Sequence, residues 1–133
     1  MEKRNKIIYW IATIWLSSGM LSSGVLQLLR IQGEGTVSPP GVYGIERLGY
    51  PIYFLTIIGI WKILGIVALL APGFRLLKEW AYAGFFFIMT GAIYSHLALH
   101  DTFRDTFPSL LLLLLTVVSW YFRPASRKLI AVN

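Results

Sequence analysis

The sequence predicts an all-α integral membrane protein, a polytopic transmembrane four-helix bundle that runs up-down-up-down with both termini in the cytoplasm. Three observations support this. Hydrophobic residues make up 56% of the 133 residues and charged residues only 14%, which is atypical of a soluble domain. Apolar runs at about 7–29, 50–71, 80–99 and 107–122 each approach the ~20 residues that cross a bilayer as a helix. Lysine and arginine also concentrate on one side of these runs.

The first run, 7–29, follows a short basic segment and is predicted to be a retained helix. A basic start before an apolar stretch is also typical of a signal peptide. This run is longer than a usual signal core, however, and no small-x-small cleavage pattern follows it. Gly19 and Ser23 are four residues apart, as are Ser18 and Ser22, and such spacing suits close helix packing.

The connection 30–49 is the one long loop, and we expect it on the extracytoplasmic side. Glycine and proline punctuate it, although its last part, 42–48, is regular enough for a short interfacial helix. Pro51 is expected in the first turn of the second spanning helix, where its missing N–H is tolerated. Pro72 and Gly73 mark the end of that helix.

The third and fourth runs are joined by a brief polar turn, 100–106. Pro108 is expected in the first turn of the fourth helix. Six consecutive leucines, 110–115, indicate that much of this helix faces lipid. The chain 1–133 is therefore predicted to be a single membrane domain.

Positive charge sets the predicted orientation. Eight lysine and arginine residues lie on the side of the termini and of the link between the second and third helices, and three lie on the other side. Because cytoplasmic segments carry the excess of such residues, we expect both termini in the cytoplasm, at the cell membrane. The eight are Lys3, Arg4, Lys6, Arg75, Lys78, Arg123, Arg127 and Lys128, and the three are Arg30, Arg47 and Arg104.

Composition also argues against several classes of function. The chain has no cysteine, which excludes disulfides, thiolate metal sites and thiol redox chemistry. The formal charge of +6 is spread between apolar runs, so no nucleic-acid partner is expected. His100, Asp101 and Asp105 share one short turn, and a solvated turn is favoured there over a metal site. Without a nucleotide motif or a nucleophile–base pair, a self-contained enzyme is not favoured.

Lys62 is the most informative residue, because it is the only charge in the second run and falls near its centre. A cation at the bilayer midplane costs from ~3 to more than ~10 kcal/mol. Snorkelling is one solution, but a lysine stem covers only part of the ~15 Å half-thickness. An interior position with polar partners is therefore favoured. Its partner is expected to be a hydroxyl, a carbonyl, water, a ligand oxygen or Glu46 from the loop.

Placement by depth predicts a polar cleft that opens toward the extracytoplasmic side. At ~1.5 Å per residue, His96 and Gln27 would lie ~10 Å above a floor formed by Lys62 and two serines. For His96 a structural hydrogen bond is the alternative, and for Gln27 and the serines helix–helix hydrogen bonding is favoured. Aromatic rings near the cleft are also explained by packing in the core or against lipid. The candidate ligand-binding residues are Lys62, His96, Tyr94, Trp61, Gln27, Ser17, Ser18 and Glu46.

Short motifs run through the predicted spans: Gly49-Tyr50-Pro51, Lys62-Ile63-Leu64-Gly65, Leu69-Leu70-Ala71-Pro72, Glu79-Trp80-Ala81-Tyr82-Ala83-Gly84, Gly91-Ala92 and Ser95-His96-Leu97. With them, the chain resembles the DoxX-like family of small four-helix membrane proteins over about residues 7–122. That family includes a membrane subunit associated with thiosulfate:quinone oxidoreductase. It is also similar to proteins that mature methylamine dehydrogenase and to membrane chaperones that assist receptor assembly. The resemblance implies the fold and suggests redox work near the quinone pool.

Two hypotheses of function follow. In the first, the protein is a ligand-binding or accessory subunit of a membrane redox system. A quinone or similar amphipathic ligand would place a ring against Trp61 or Tyr94, and Lys62 or His96 would hold its oxygen. In the second, it is a structural or chaperone-like assembly protein without small-molecule chemistry. The sequence shows no cofactor motif, and the expected partners are the lipid bilayer with a membrane redox partner or a second copy of the chain.

Overall fold

The computed structural model describes residues 2–29 and 44–129. Its helices are α1 (Glu2–Leu28), α2 (Gly44–Arg47), α3 (Tyr53–Leu70), α4 (Arg75–Ala98) and α5 (Phe103–Tyr121), followed by a 3₁₀ turn at Ala125–Arg127. The four long helices are apolar and long enough to cross a membrane. The predicted all-α four-helix bundle is therefore confirmed. Most of the predicted loop 30–49 lies outside the described residues, but α2 falls within the stretch for which a short helix is predicted.

The long helices form a ring in which each one has two main neighbours. α1 packs against α3 and α5, and α4 packs against the same two helices. Short links make α3, α4 and α5 successively antiparallel. α1 is antiparallel to α3, since Ser23 contacts Lys62 while Leu28, further along α1, contacts Gly59. We call one end the terminal end, because it holds the start of α1, the α3–α4 link and the end of α5. The opposite end, with α2 and the α4–α5 turn, is the loop end.

Three of the four long helices begin ahead of the apolar runs that predict them. α1 begins at Glu2, α4 at Arg75 and α5 at Phe103, each four or five residues ahead of the corresponding run. Hydropathy marks where a helix enters hydrocarbon, whereas the helix itself continues into the polar interface. Consequently Pro108 lies inside α5 instead of in its first turn. At α3 the difference is the opposite, since this helix begins at Tyr53 and Pro51 precedes it.

The core is made by one apolar stripe from each long helix. It includes Leu16 of α1, Leu69 of α3, Phe85 of α4 and Leu115 of α5, all buried. The outer faces carry many large exposed hydrophobic side chains. That distribution is expected when lipid, and not water, surrounds the bundle.

Two glycines bring α1 and α3 close together. A Cβ atom on Gly59 would lie 3.0 Å from the carbonyl oxygen of Gly24 and 2.8 Å from Cγ of Leu28. Small residues permit such approach between helices in lipid. Gly24 also lies beside Lys62, since a Cβ atom there would be 3.4 Å from the Lys62 Cβ. This contact determines which residues of α1 face Lys62.

At the terminal end, cations pair with the last carbonyl groups of α3. Lys78 is only 1% exposed, and its Nζ donates to the carbonyl oxygens of Ala68, at 2.7 Å, and of Ala71. Arg127 donates to the carbonyl oxygen of Leu69 at 2.6 Å. Positive charge is favourable there because unpaired carbonyls leave a helix C-terminus partly negative.

A buried hydroxyl cluster joins three helices beside this cap. Ser119 of α5 is hydrogen-bonded to Thr13 of α1 at 2.7 Å and to Tyr82 of α4 at 2.8 Å. Ser119 and Thr13 are fully buried. The cluster fixes α1, α4 and α5 together by hydrogen bonds instead of by apolar packing alone.

Candidate functional site

A cavity of about 340 Å³ lies inside the loop-end half of the bundle. It extends from Lys62 on α3 to His96 near the end of α4, and residues of α1, α2 and α5 complete its wall. Its walls are mostly apolar, with a few polar groups. The polar members of the lining are Ser23, Gln27, Tyr50, Lys62, Ser95, His96 and Ser109.

Lys62 lies on the inward face of α3, near the middle of that helix. Its side chain is only 4% exposed, and its Nζ donates a hydrogen bond to Oγ of Ser23 at 3.0 Å. Among the described residues, no carboxylate lies within ion-pair distance of this amine. An ammonium group has three donors, so the bond to Ser23 leaves two of them for other partners.

The serine that meets Lys62 is Ser23, and not Ser17 or Ser18. Ser17 is buried, but it does not line the cavity and its Oγ has no hydrogen-bond partner among the described residues. Ser18 is exposed on the outer face of α1. α1 starts at Glu2 and crosses α3 at Gly24 and Gly59. The residues of α1 at the same depth as Lys62 are therefore five to six positions, or ~8 Å, later in α1 than hydropathy indicates.

Ser23 was assigned by sequence to helix packing alone. The signal that could have identified it is its position next to Gly24, the residue that lets α1 approach α3. Its hydroxyl also donates to the carbonyl oxygen of Met20 at 3.4 Å. It can therefore accept a hydrogen bond from Lys62 while its own proton stays engaged.

Gln27 lines the cavity one helical turn beyond Ser23. Its Oε1 is buried, and it has no hydrogen-bond partner among the described residues. A buried amide oxygen without a donor is costly. Lys62 and Gln27 thus present, in one cavity, donors and an acceptor that are not satisfied by the described residues.

His96 lies at the loop end of the cavity, where a hydrogen bond to Asp101 fixes its ring. Its Nδ1 is hydrogen-bonded to Oδ2 of Asp101 at 2.7 Å. Arg47 of α2 donates to both oxygens of the same carboxylate, at 2.8 and 2.7 Å. A carboxylate on one ring nitrogen fixes the ring orientation and leaves the other nitrogen, Nε2, for other contacts.

Charge pairing stabilises the ionised forms of Arg47 and Asp101. The hydrogen bonds from Arg47, and secondarily from His96, hold the pKa of the Asp101 carboxyl well below its usual range. The bond to Asp101 in turn raises the pKa of the Arg47 guanidinium. Close by, the Tyr50 hydroxyl is hydrogen-bonded to Ser95 at 3.0 Å. These contacts attach the segment around α2 to the loop end of α4.

The remaining predicted site residues lie outside the cavity. Trp61 is 56% exposed, and it borders an apolar groove of about 520 Å³ on the outer face of α3 and α4. Tyr94 is 74% exposed. Glu46 on α2 is exposed, and the nearby residues Ile45 and Leu48 line the cavity instead. The structure therefore brings Lys62, Gln27 and His96 to one cavity and leaves the aromatic candidates outside it.

No metal centre is formed by the residues that the structure describes. No three His, Asp or Glu side chains within 2–29 and 44–129 come together in a way that could hold an ion. His100 is exposed, and Asp105 accepts a hydrogen bond from Thr102 at 2.7 Å in the same turn. The polar chemistry of this cavity thus consists of an amine, an amide, an imidazole and several hydroxyl groups around an apolar space.

Comparison with known proteins agrees with this architecture. A model of the DoxX-like family matches residues 11–119. The match includes every residue that lines the cavity between Lys62 and His96. Comparisons with curated proteins and with solved structures give no significant match.

Proposed function

This chain belongs to the DoxX-like family, and from that premise we propose that it binds an amphipathic, quinone-like ligand in the cavity between Lys62 and His96. It would do so as a ligand-binding or accessory subunit of a membrane redox system. The proposal is supported by four helices that are long and apolar enough to cross a membrane, since a cavity between such helices would be accessible to ligands dissolved in the bilayer. A cavity of about 340 Å³ falls at the small end of the range for small-molecule sites.

The observation that supports the proposal most directly is the state of Lys62. This amine is buried in the middle of a long apolar helix, makes one hydrogen bond among the described residues, to a serine, and faces a mostly apolar space. Intramembrane cations are usually paired or functional, because an unpaired one is costly. A carbonyl or anionic oxygen of a ligand would supply the missing acceptor.

Gln27 and His96 support a particular orientation of the ligand. The Gln27 amide oxygen would accept a hydrogen bond from a ligand hydroxyl, while Lys62 donates to an oxygen on the same head group. His96 lies nearer the loop end, where its ring, fixed by Asp101, would contact the outer part of the ligand. Because the chain has no cysteine, any thiol or cysteine-ligated iron–sulfur centre of such a system would belong to another subunit.

The test measures binding of decylubiquinone to the purified protein in lipid nanodiscs. Lys62→Met keeps the side-chain length and removes the amine. Loss of a charge-assisted hydrogen bond is worth ~1.5–3 kcal/mol, so the dissociation constant should rise about ten- to 150-fold. Ser23 keeps its bond to Met20 in this variant, so stability should change by less than ~1.5 kcal/mol. Ser18→Ala and Tyr94→Phe are matched controls outside the cavity, and both should bind like the wild type.

A second function, in assembly, is favoured by the groove beside Trp61. This groove lies between α3 and α4 on the outer face, and its apolar lining would suit a helix of a partner membrane protein. If the folded Lys62→Met variant binds decylubiquinone as tightly as the wild type, the ligand site is rejected. If the substitution instead unfolds the bundle or separates it from a partner, the assembly role is supported.

The proposed orientation follows from charge. The eight basic residues of the terminal end would face the cytoplasm. The chain has no cysteine, so Ser126→Cys introduces a unique thiol on that side. A membrane-impermeant maleimide should label this thiol in inverted vesicles but not in intact cells. Labelling of intact cells would reverse the orientation.

A further inference from the structure

A second cavity, of about 720 Å³, lies at the terminal end between the first turns of α1 and the segment that follows α5. It is distinct from the cavity at Lys62 and shares no residue with it. Every residue that lines it lies outside the stretch 11–119 matched by the family model. Its lining includes one carboxylate, Glu2, and five cationic side chains, which are Lys3, Lys6, Arg123, Arg127 and Lys128.

The cationic side chains that line this cavity differ in whether they already have polar partners in the protein. Arg123 is ion-paired with Glu79 at 2.8 Å, and Arg127 caps α3 and lies 4.9 Å from the Trp10 ring. Lys3 and Lys6 are exposed. Within the described part of the chain, neither lysine makes a hydrogen bond or an ion pair. Two positioned arginines therefore stand next to lysines that are available to an anion.

An apolar groove continues from this cavity along the outer face of α1. It encloses about 380 Å³ and shares Lys3, Lys6 and Trp10 with the basic cavity. Beyond them it follows Ile7, Ile11 and Ile14, which are spaced by three or four residues and are all exposed. From Lys3 to Ile14 the helix rises ~16 Å, about half the thickness of a hydrocarbon core.

We propose that the terminal end binds one anionic phospholipid. Its phosphodiester would lie among the lysines and arginines of the basic cavity, and one acyl chain would follow the isoleucine groove on α1. Basic pockets at the ends of spanning helices attract anionic head groups, and tryptophan and tyrosine sit at head-group level. Trp10 and Tyr121, which line the cavity, supply these rings. The basic cavity is continuous with the apolar groove. A lipid would occupy both with its head group and one acyl chain, whereas a free phosphate ion would occupy only the cavity.

The experiment titrates the delipidated protein in detergent with dioleoylphosphatidylglycerol, dioleoylphosphatidylcholine or inorganic phosphate. The phosphatidylglycerol should bind and raise the midpoint of thermal unfolding, whereas the other two should not. Lys3→Gln/Lys6→Gln should weaken phosphatidylglycerol binding about thirtyfold, since each basic residue near a lipid surface contributes about fivefold. Arg4→Gln/Arg104→Gln removes the same charge from exposed positions that do not line the cavity, and it should bind the lipid normally.

A separate variant tests the groove. Ile11→Ser should weaken binding of the dioleoyl lipid, whereas Leu64→Ser, at an exposed site on α3, should not. Any of three results would overturn the proposal. These are equal affinity for phosphatidylcholine and phosphatidylglycerol, binding of inorganic phosphate as tight as that of the lipid, and equal loss of phosphatidylglycerol affinity in the lysine and arginine variants. All four variants change exposed residues, and an unchanged circular-dichroism spectrum verifies that they fold.

Discussion

Substitution of Gly59 by alanine tests whether the close approach of α1 and α3 builds the candidate site. The new methyl group would lie 3.0 Å from the backbone carbonyl oxygen of Gly24 and 2.8 Å from Cγ of Leu28. Leu28, the last residue of α1, can rotate away, but the Gly24 carbonyl belongs to the helix itself. The two helices must therefore move apart by a few tenths of an ångström.

The expected cost follows from two opposing contributions. Overpacking of this kind typically costs ~1–3 kcal/mol, whereas alanine gains up to ~1 kcal/mol over glycine within a helix. We expect a net loss of about 1 kcal/mol in the free energy of unfolding. Gly84→Ala is the matched control, because a Cβ atom on Gly84 would meet nothing within 4 Å. That variant should gain up to ~1 kcal/mol, so the two should differ by about 2 kcal/mol.

Two measurements check this prediction. Reversible unfolding in sodium dodecyl sulfate, followed by circular dichroism, gives the stability of each variant. Decylubiquinone binding reports on the cavity, since a wider α1–α3 spacing lengthens the 3.0 Å hydrogen bond between Lys62 and Ser23. Affinity should fall in Gly59→Ala and stay unchanged in Gly84→Ala. If Gly59→Ala is as stable as Gly84→Ala and binds as well as the wild type, the glycine contact does not position the site.

Three further predictions concern polar contacts. Lys78→Met should lower the free energy of unfolding by ~1–3 kcal/mol, because it removes the donor to the carbonyl oxygens of Ala68 and Ala71; Arg104→Gln, at an exposed site, should leave it unchanged. Ser119→Ala should cost ~0.6–1.7 kcal/mol, the range for hydrogen bonds between spanning helices, while the exposed Ser18→Ala stays neutral. The lowered pKa of Asp101 in the folded chain means that its ionised form stabilises the fold. This contribution is complete above the ordinary carboxyl pKa of about 4 and is lost as pH falls toward the lowered value. Thermal unfolding between neutral and acidic pH should show this loss in the wild type and not in Asp101→Asn.

Local physics explains why the fold could be predicted from the chain alone. Each apolar run must satisfy its backbone hydrogen bonds internally in lipid, which leaves a helix as the solution. Short links then make neighbouring spans antiparallel. The ends of the helices were less predictable, as α4 shows. It begins at Arg75, because an interfacial turn is helical without being apolar.

The positions of the candidate site residues could be predicted only in part. Burial of Lys62 follows from the cost of an exposed cation at mid-membrane, and Gln27 and His96 reach the same cavity because depth along a helix is nearly linear in sequence. The side of a helix that faces a neighbour is not determined by depth. Trp61 is next to Lys62 in sequence yet lies outside the bundle, because successive helical positions point about 100° apart.

By itself, the sequence determined that the chain forms four helices long and apolar enough to span a membrane, contains a single lysine near the middle of the second of them, and has no thiol chemistry. Tertiary structure decided the partners: Ser23 for Lys62, Asp101 for His96, and the carbonyls of α3 for Lys78. The reason is that partner choice depends on the register and rotation of helices distant in sequence. Both are set by contacts such as that of Gly24 with Gly59, where fractions of an ångström determine which residues face one another.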